Sequence, residues 1–181
     1  MSKKHKNGKK TASRKRKSGF GAFLLCLIVF GLLAAGARYL AFEPVKVTTD
    51  AMQPAYEQGD IVLINKLADV GRLTRGDLVY ASFSRDSARL IRWVAGVAGD
   101  LVDVREDGKF LVPADGSDEI SLGEAPALTY GEIPANTYLL LCLNEGARDA
   151  VDSRELGLVL KRSLIGTPIR AVWPLSRLLA D

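Results

Sequence analysis

Residues 18–37 are twenty consecutive uncharged residues, mostly Leu, Ala, Phe, Ile, Val and Gly, and the run stops at Arg38. Wound as a helix at about 1.5 Å per residue, it matches a hydrocarbon core of roughly 30 Å. Lys3, Lys4, Lys6, Lys9, Lys10, Arg14, Lys15, Arg16 and Lys17 precede it without a single acid, whereas Arg38, Glu43 and Lys46 follow it. By the positive-inside rule this asymmetry keeps the N-terminus in the cytoplasm and sends everything after Phe42 outside. The expected organisation is a basic cytoplasmic tail over 1–17, a transmembrane signal-anchor helix over 18–42 and an extracytoplasmic domain over 43–181, with the chain in the cell membrane. A cleaved signal peptide is the competing reading, since Ala34, Ala35, Gly36 and Ala37 would suit a cleavage site. The apolar part of a signal peptide is typically about 7–15 residues, shorter than this run.

The whole chain holds 25 Lys and Arg against 21 Asp and Glu, a formal charge of +4. Nine of the basic groups lie in the tail, so the rest carries 16 basic and 21 acidic side chains. The positive balance therefore describes a short tail that meets a lipid bilayer, not a basic globule, and nucleic acid is excluded as a partner on this ground. The one histidine, His5, lies in the tail, and the two cysteines are Cys26 and Cys142. A histidine-based triad, a multi-ligand zinc site and a disulfide scaffold are excluded by count, and no metal or organic cofactor is implied. Cys26 falls in the apolar run and Cys142 in an outside strand, so both read as packing residues. Oligomeric state is open, although Gly21, Gly31 and Gly36 would let helices approach closely.

Beyond residue 42, short apolar runs alternate with turn residues at 61–64, 78–83, 90–95, 101–104, 110–112, 138–143 and 164–173. Their lengths and their Gly, Asp and Pro boundaries predict strands. Three runs are opened by the same dipeptide, at Gly59-Asp60, Gly76-Asp77 and Gly99-Asp100, where glycine permits a positive-φ turn and Asp bonds the local backbone. The polar stretch 113–131 reads as a surface excursion, and 145–162 as room for one turn of helix. The expected fold class is mostly β, one domain behind one N-terminal helix.

Four segments carry a more specific pattern. Asp50-Ala51-Met52-Gln53-Pro54 is followed by Gly59-Asp60 and a strand ending in Asn65-Lys66; then come Arg75-Gly76-Asp77-Leu78-Val79, the run from Leu90 through Arg92 and Trp93 to Gly99-Asp100, and Asp152-Ser153-Arg154 with Gly157. Gly166 and Trp173-Pro174 close the series. In order, spacing and position behind an apolar helix they resemble the type I signal peptidases. Each segment alone suits any β domain that must close turns and fill a core. The resemblance implies a coiled β-sheet domain, no cofactor, and a groove that takes exported or surface-protein polypeptides as an added β-strand. Onto this chain it maps the groove at Thr49, Asp50, Met52, Pro54, Leu90, Ile91 and Trp93, with Asp152, Ser153 and Arg154 as a structural wall of the site.

In that family a Ser hydroxyl attacks the scissile carbonyl and a Lys, kept neutral by apolar neighbours, takes its proton. The positions matching the pair are Ala51 and Arg92. A methyl group is no nucleophile, and a guanidinium with a pKa above about 12 is not made neutral by burial as an ammonium is. The family's Gly-Asp-Asn and its later Ser, which assist oxyanion binding and orient the Lys, correspond to Asn144-Glu145-Gly146 and Ala150, placed within about two positions. Thr49 lies two residues from Ala51, displaced by roughly 6–7 Å in an extended segment, too far to substitute. Lys66 reads as a solvated amine, and Ser82, Ser84 and Ser87 as loop residues with no base. The expectation is a signal-peptidase-like membrane protein without Ser/Lys catalysis, acting as chaperone or adaptor for exported chains, a role the resemblance associates with pilus or surface-protein assembly. The alternative is an active signal peptidase cleaving secreted preproteins through an unrecognised nucleophile.

Overall fold

A computed structural model of the chain describes residues 19–83, 88–147, 150–174 and Ser176. The basic tail with His5, and Ser84 and Ser87, lie outside the described residues. The chain divides into two compact units, Met1–Ala37 and Arg38–Asp181. Helix α1, Gly19–Ala41, covers the apolar run. Part of it lies outside the described side chains, and among the described residues no helix is long and apolar enough to cross a membrane. The anchor therefore rests on the sequence.

The second unit is mostly β. All seven runs form strands: β2 (Ile61–Asn65), β3 (Leu78–Ser82), β4 (Arg89–Gly96), β5 (Leu101–Arg105), β6 (Gly108–Val112), β9 (Thr137–Leu141) and β11 (Leu164–Trp173). Four more were not expected: β1 (Phe42–Lys46), β7 (Ile120–Gly123), β8 (Gly131–Glu132) and β10 (Val159–Leu160). The larger sheet runs β1-β2-β11-β3-β4-β9-β10, and the smaller runs β7-β6-β5-β8. Every pairing is antiparallel. Strand β11 joins two halves of the larger sheet, pairing with β3 through Leu164 and Gly166 and with β2 from Thr167 to Trp173, and register shifts bend it on the way. A Cβ at Gly166 would strike the Asn65 carbonyl and Ile64, so only glycine lets these strands approach.

The three Gly-Asp pairs build one device three times. Gly59, Gly76 and Gly99 have φ of +98°, +96° and +93°. In each case the following Asp carboxylate accepts the N–H three residues back, from Glu57 at 2.9 Å, Thr74 at 2.7 Å and Val97 at 2.8 Å. The Asp N–H returns a bond to the same residue's carbonyl. Each turn thus closes itself before a strand begins.

The stretch 113–131 is more than a surface excursion. It returns as β7 against β6 and buries Leu122, Ala125 and Leu128 with Val102, Leu111, Leu139 and Leu141. Only Ile120 and Leu122 within β7 are apolar, too few for the period-two pattern to show. The expected helical turn appears as α2, Ser153–Leu156. Another cluster, Val47, Met52, Tyr56, Val62, Ile64, Tyr80 and Ile91, packs β2 against the segment after β1 and against β4, and so fixes the two walls of the cleft described next.

Candidate functional site

After β1 the chain passes through Thr49 into a single 3-10 turn, Asp50–Met52. The turn is tied from both sides. Val47 donates to the Asp60 carbonyl at 2.8 Å and Gly59 to the Val47 carbonyl at 2.9 Å. Asp50 Oδ1 accepts from Gln53 Nε2 at 3.0 Å and from the Gln58 N–H at 3.3 Å. From the far side, the Asn144 N–H donates to the Ala51 carbonyl at 3.0 Å and Asn144 Nδ2 to the Asp50 carbonyl at 3.2 Å. Ala51 is wholly buried and Met52 nearly so.

The opposite wall is β4. Phe83 donates to the Ala88 carbonyl and Val94 to the Asp77 carbonyl, so by antiparallel alternation the even-numbered residues of β4 turn their main-chain groups toward β3. Arg89, Ile91 and Trp93 turn theirs the other way. Strand β9 covers that edge only from Trp93 onward. Arg89 and Ile91 are left facing the segment 45–49 across a cleft of about 30 Å³, lined also by Met52 and Arg92. By cavity arithmetic that is room for about two waters. A wider polar hollow of about 400 Å³ adjoins it through Thr48 and Thr49 and is lined by Asp50, Gln53, Gln58 and Asn144.

Arg92 is 2 % exposed, the largest nearly fully buried side chain among the described residues. Its Nε and Nη2 donate to the Val151 carbonyl at 3.0 and 2.8 Å, and its Nη1 donates to the Ile91 carbonyl at 2.6 Å. No carboxylate among the described residues lies within 4.0 Å of it. Burial lowers its pKa below the usual guanidinium value, against the opposing pull of Cys142 and Asp152. Cys142, buried beside it, has its thiol pushed up to about 12, chiefly by the same loss of water.

Asp152 attracts Arg92 but makes no ion pair with it. It caps α2, accepting the Arg154 N–H at 2.9 Å, takes the Cys142 N–H at 3.1 Å and forms an ion pair with Arg154 Nη2 at 2.7 Å. Burial alone would raise its pKa, and the bonds from Arg154 and Cys142 outweigh burial and hold it below the usual carboxylate value. Ser153 is buried, and its hydroxyl accepts the Leu140 N–H at 3.0 Å.

A family model described as signal peptidase, peptidase S26, matches residues 20–173. The chain belongs to this family. It is 22 % identical to signal peptidase I S of Bacillus subtilis over 93 % of this chain and 97 % of that protein. Against signal peptidase I of Bacillus licheniformis the identity is 24 % over 92 % and 95 %. A solved structure of a signal peptidase I from Enterococcus faecalis aligns at 19 % identity with a TM-score of 0.37, covering 53 % of this chain and 96 % of that one.

Of the residues mapped to the groove, Thr49, Met52, Leu90 and Ile91 line the cleft together with Arg92. Asp50 lies in the adjoining hollow. Pro54 is exposed on the turn, and Trp93 is half-buried against two core clusters; neither lines the cleft. Sequence reasoning missed Lys46 and Arg89, which also line it. Strand alternation would have placed Arg89 on one edge with Ile91. It also missed Val151, whose contribution is a main-chain carbonyl and leaves no mark on residue type. Lys66, read as solvated, is half-buried and pairs with Glu43 at 3.4 Å.

Proposed function

We propose that this chain is a membrane-anchored, signal-peptidase-like protein that holds exported polypeptides without cutting them. The observation that carries the reading is the pair Ala51 and Arg92. At the positions that match the family's Ser and Lys, this chain carries a buried methyl and a guanidinium bonded to Val151 and Ile91. Lowering a guanidinium from its usual value leaves it a cation at any physiological pH. An open strand edge needs no nucleophile, because an added strand binds through main-chain hydrogen bonds with side chains in shallow pockets. The apolar run with its basic flank supports the anchor, with the domain outside.

The names of the relatives favour a second reading, an active signal peptidase. It would need another nucleophile, and the hydroxyl nearest Ala51 in sequence is Thr49, which lines the cleft. A photo-crosslinker placed at Leu90, which lines the cleft, in the full-length protein in membranes is expected to capture exported chains with their signal segment uncut. Captured chains that are already trimmed, with trimming lost in Thr49→Val, would install the second reading instead.

A further inference from the structure

The cleft has a closed end, and the closed end is positive. Along β4 an incoming strand meets the main-chain groups of Arg89 and then Ile91, but the Ile91 carbonyl is taken at 2.6 Å by Arg92 Nη1. From Trp93 onward the edge belongs to β9. A ladder of hydrogen bonds therefore has to stop at Arg92. The cleft lining includes three cationic residues, Lys46, Arg89 and Arg92, with Thr48 and Thr49 and no acidic residue, and of the three Arg89 also pairs at 3.7 Å with Glu43 outside the lining. The two bonds to Val151 and the one to Ile91 use the Nε hydrogen and one hydrogen on each Nη, so each Nη keeps one more.

We infer that the slot selects a polypeptide that ends in it: an extended, small-side-chain peptide whose free C-terminal carboxylate lies against Arg92, with Thr49 alongside. A chain entering past Arg89 and ending there runs parallel to β4. The ligand is thus the kind of end that cleavage of a preprotein leaves, held by a site that has no means of making it. Charge-assisted bonds to a desolvated cation account for the preference, since an amide at the same place would leave that cation uncompensated. This rests on the cleft being a peptide slot, as proposed above.

The test uses the full chain in detergent micelles and three fluorescent probes: a ten-residue peptide ending in Ala-Gln-Ala with a free carboxylate, the same peptide amidated, and the same peptide continued by five residues. The free acid is expected to bind about ten-fold or more tightly than either other probe. Arg92→Met is expected to erase that preference. If Arg92→Met does not fold, Lys46→Gln with Arg89→Gln serves in its place; Lys46 and Arg89 are exposed. That pair is expected to lower the acid-to-amide ratio about three-fold, and an unchanged ratio overturns the inference. Equal binding of acid, amide and extended probe overturns it while leaving the peptide slot intact. No binding of any probe overturns both.

Discussion

Arg75 and Arg92 are both sheet-side arginines with little exposure, yet they are held in opposite ways. Arg75 Nη2 meets Asp100 at 2.7 Å and its Nη1 meets Asp115 at 3.2 Å. Burial would lower its pKa, but bonds and attraction from Asp100 and Asp115 outweigh burial and raise it. Arg92 is held by two main-chain carbonyls, and its pKa is lowered. At the first position the protein answers a cation with charge and so fixes a corner where the Gly76-Asp77 turn meets the Gly99-Asp100 turn. At the second it surrounds a cation with neutral acceptors in a buried pocket. Such a pocket drives a lysine toward its neutral form. On the reading proposed above, position 92 keeps the surroundings a general base needs and holds a residue unable to use them.

Breaking each cation in turn tests that contrast. Arg75→Met strips the partner from Asp100, which is 1 % exposed, and is expected to cost about 3 kcal/mol or more in a urea melt. Arg92→Met removes a desolvated charge and leaves carbonyls short of a donor, an expected cost of about 1–2 kcal/mol. An Arg92→Met loss as large as that of Arg75→Met would show that the two arginines are equivalent struts. Asp152 sharpens the comparison through pH. Its folded pKa lies below its unfolded value, so on acidification the unfolded chain takes the proton first. The stability it contributes is complete above the unfolded value near 3.9 and is lost as pH falls through that value toward the folded one. Asp152→Asn is expected to flatten the acid limb of a Tm profile measured from pH 7 to pH 3; an unaltered limb would remove Asp152 from the account. The smallest effect concerns Cys142. With its thiol pushed up to about 12 and buried, it is expected to resist iodoacetamide at pH 8 in a Cys26→Ser background until urea unfolds the chain. Rapid alkylation of the folded protein would mean that the pocket beside Arg92 is wet.

The frame was legible where residue type dictates geometry. Glycine at φ near +95° and an Asp that bonds three residues back leave a dipeptide that sequence alone displays, and it appears three times. The seven runs became strands because β-branched and aliphatic residues between turn formers have few other folds open to them. Strand β7 was not legible because its four residues include only two apolar side chains, Ile120 and Leu122, and the burial of Leu122 depends on β6 reaching it. At the site, Ala51, Arg92 and Thr49 could be named from the pattern, but the holders of Arg92 and of the 3-10 turn could not. Val151 and Ile91 act through carbonyls, and Asn144 acts across 94 positions of sequence on Asp50. Main-chain chemistry carries no residue signature, and it decides how this cleft ends.

The proposal stands on Ala51 and Arg92 leaving this chain without a nucleophile and a base. The direct measurement is cleavage of a labelled preprotein bearing a small-x-small site by the purified full chain, compared among the natural sequence, Ala51→Ser, Arg92→Lys and the double variant across pH 7 to 10. Cleavage at that site is expected from the double variant alone, since a serine paired with an obligate cation has no base and a neutral lysine paired with a methyl has no nucleophile. Cleavage by the natural sequence, surviving repurification and abolished by Thr49→Val, would contradict it.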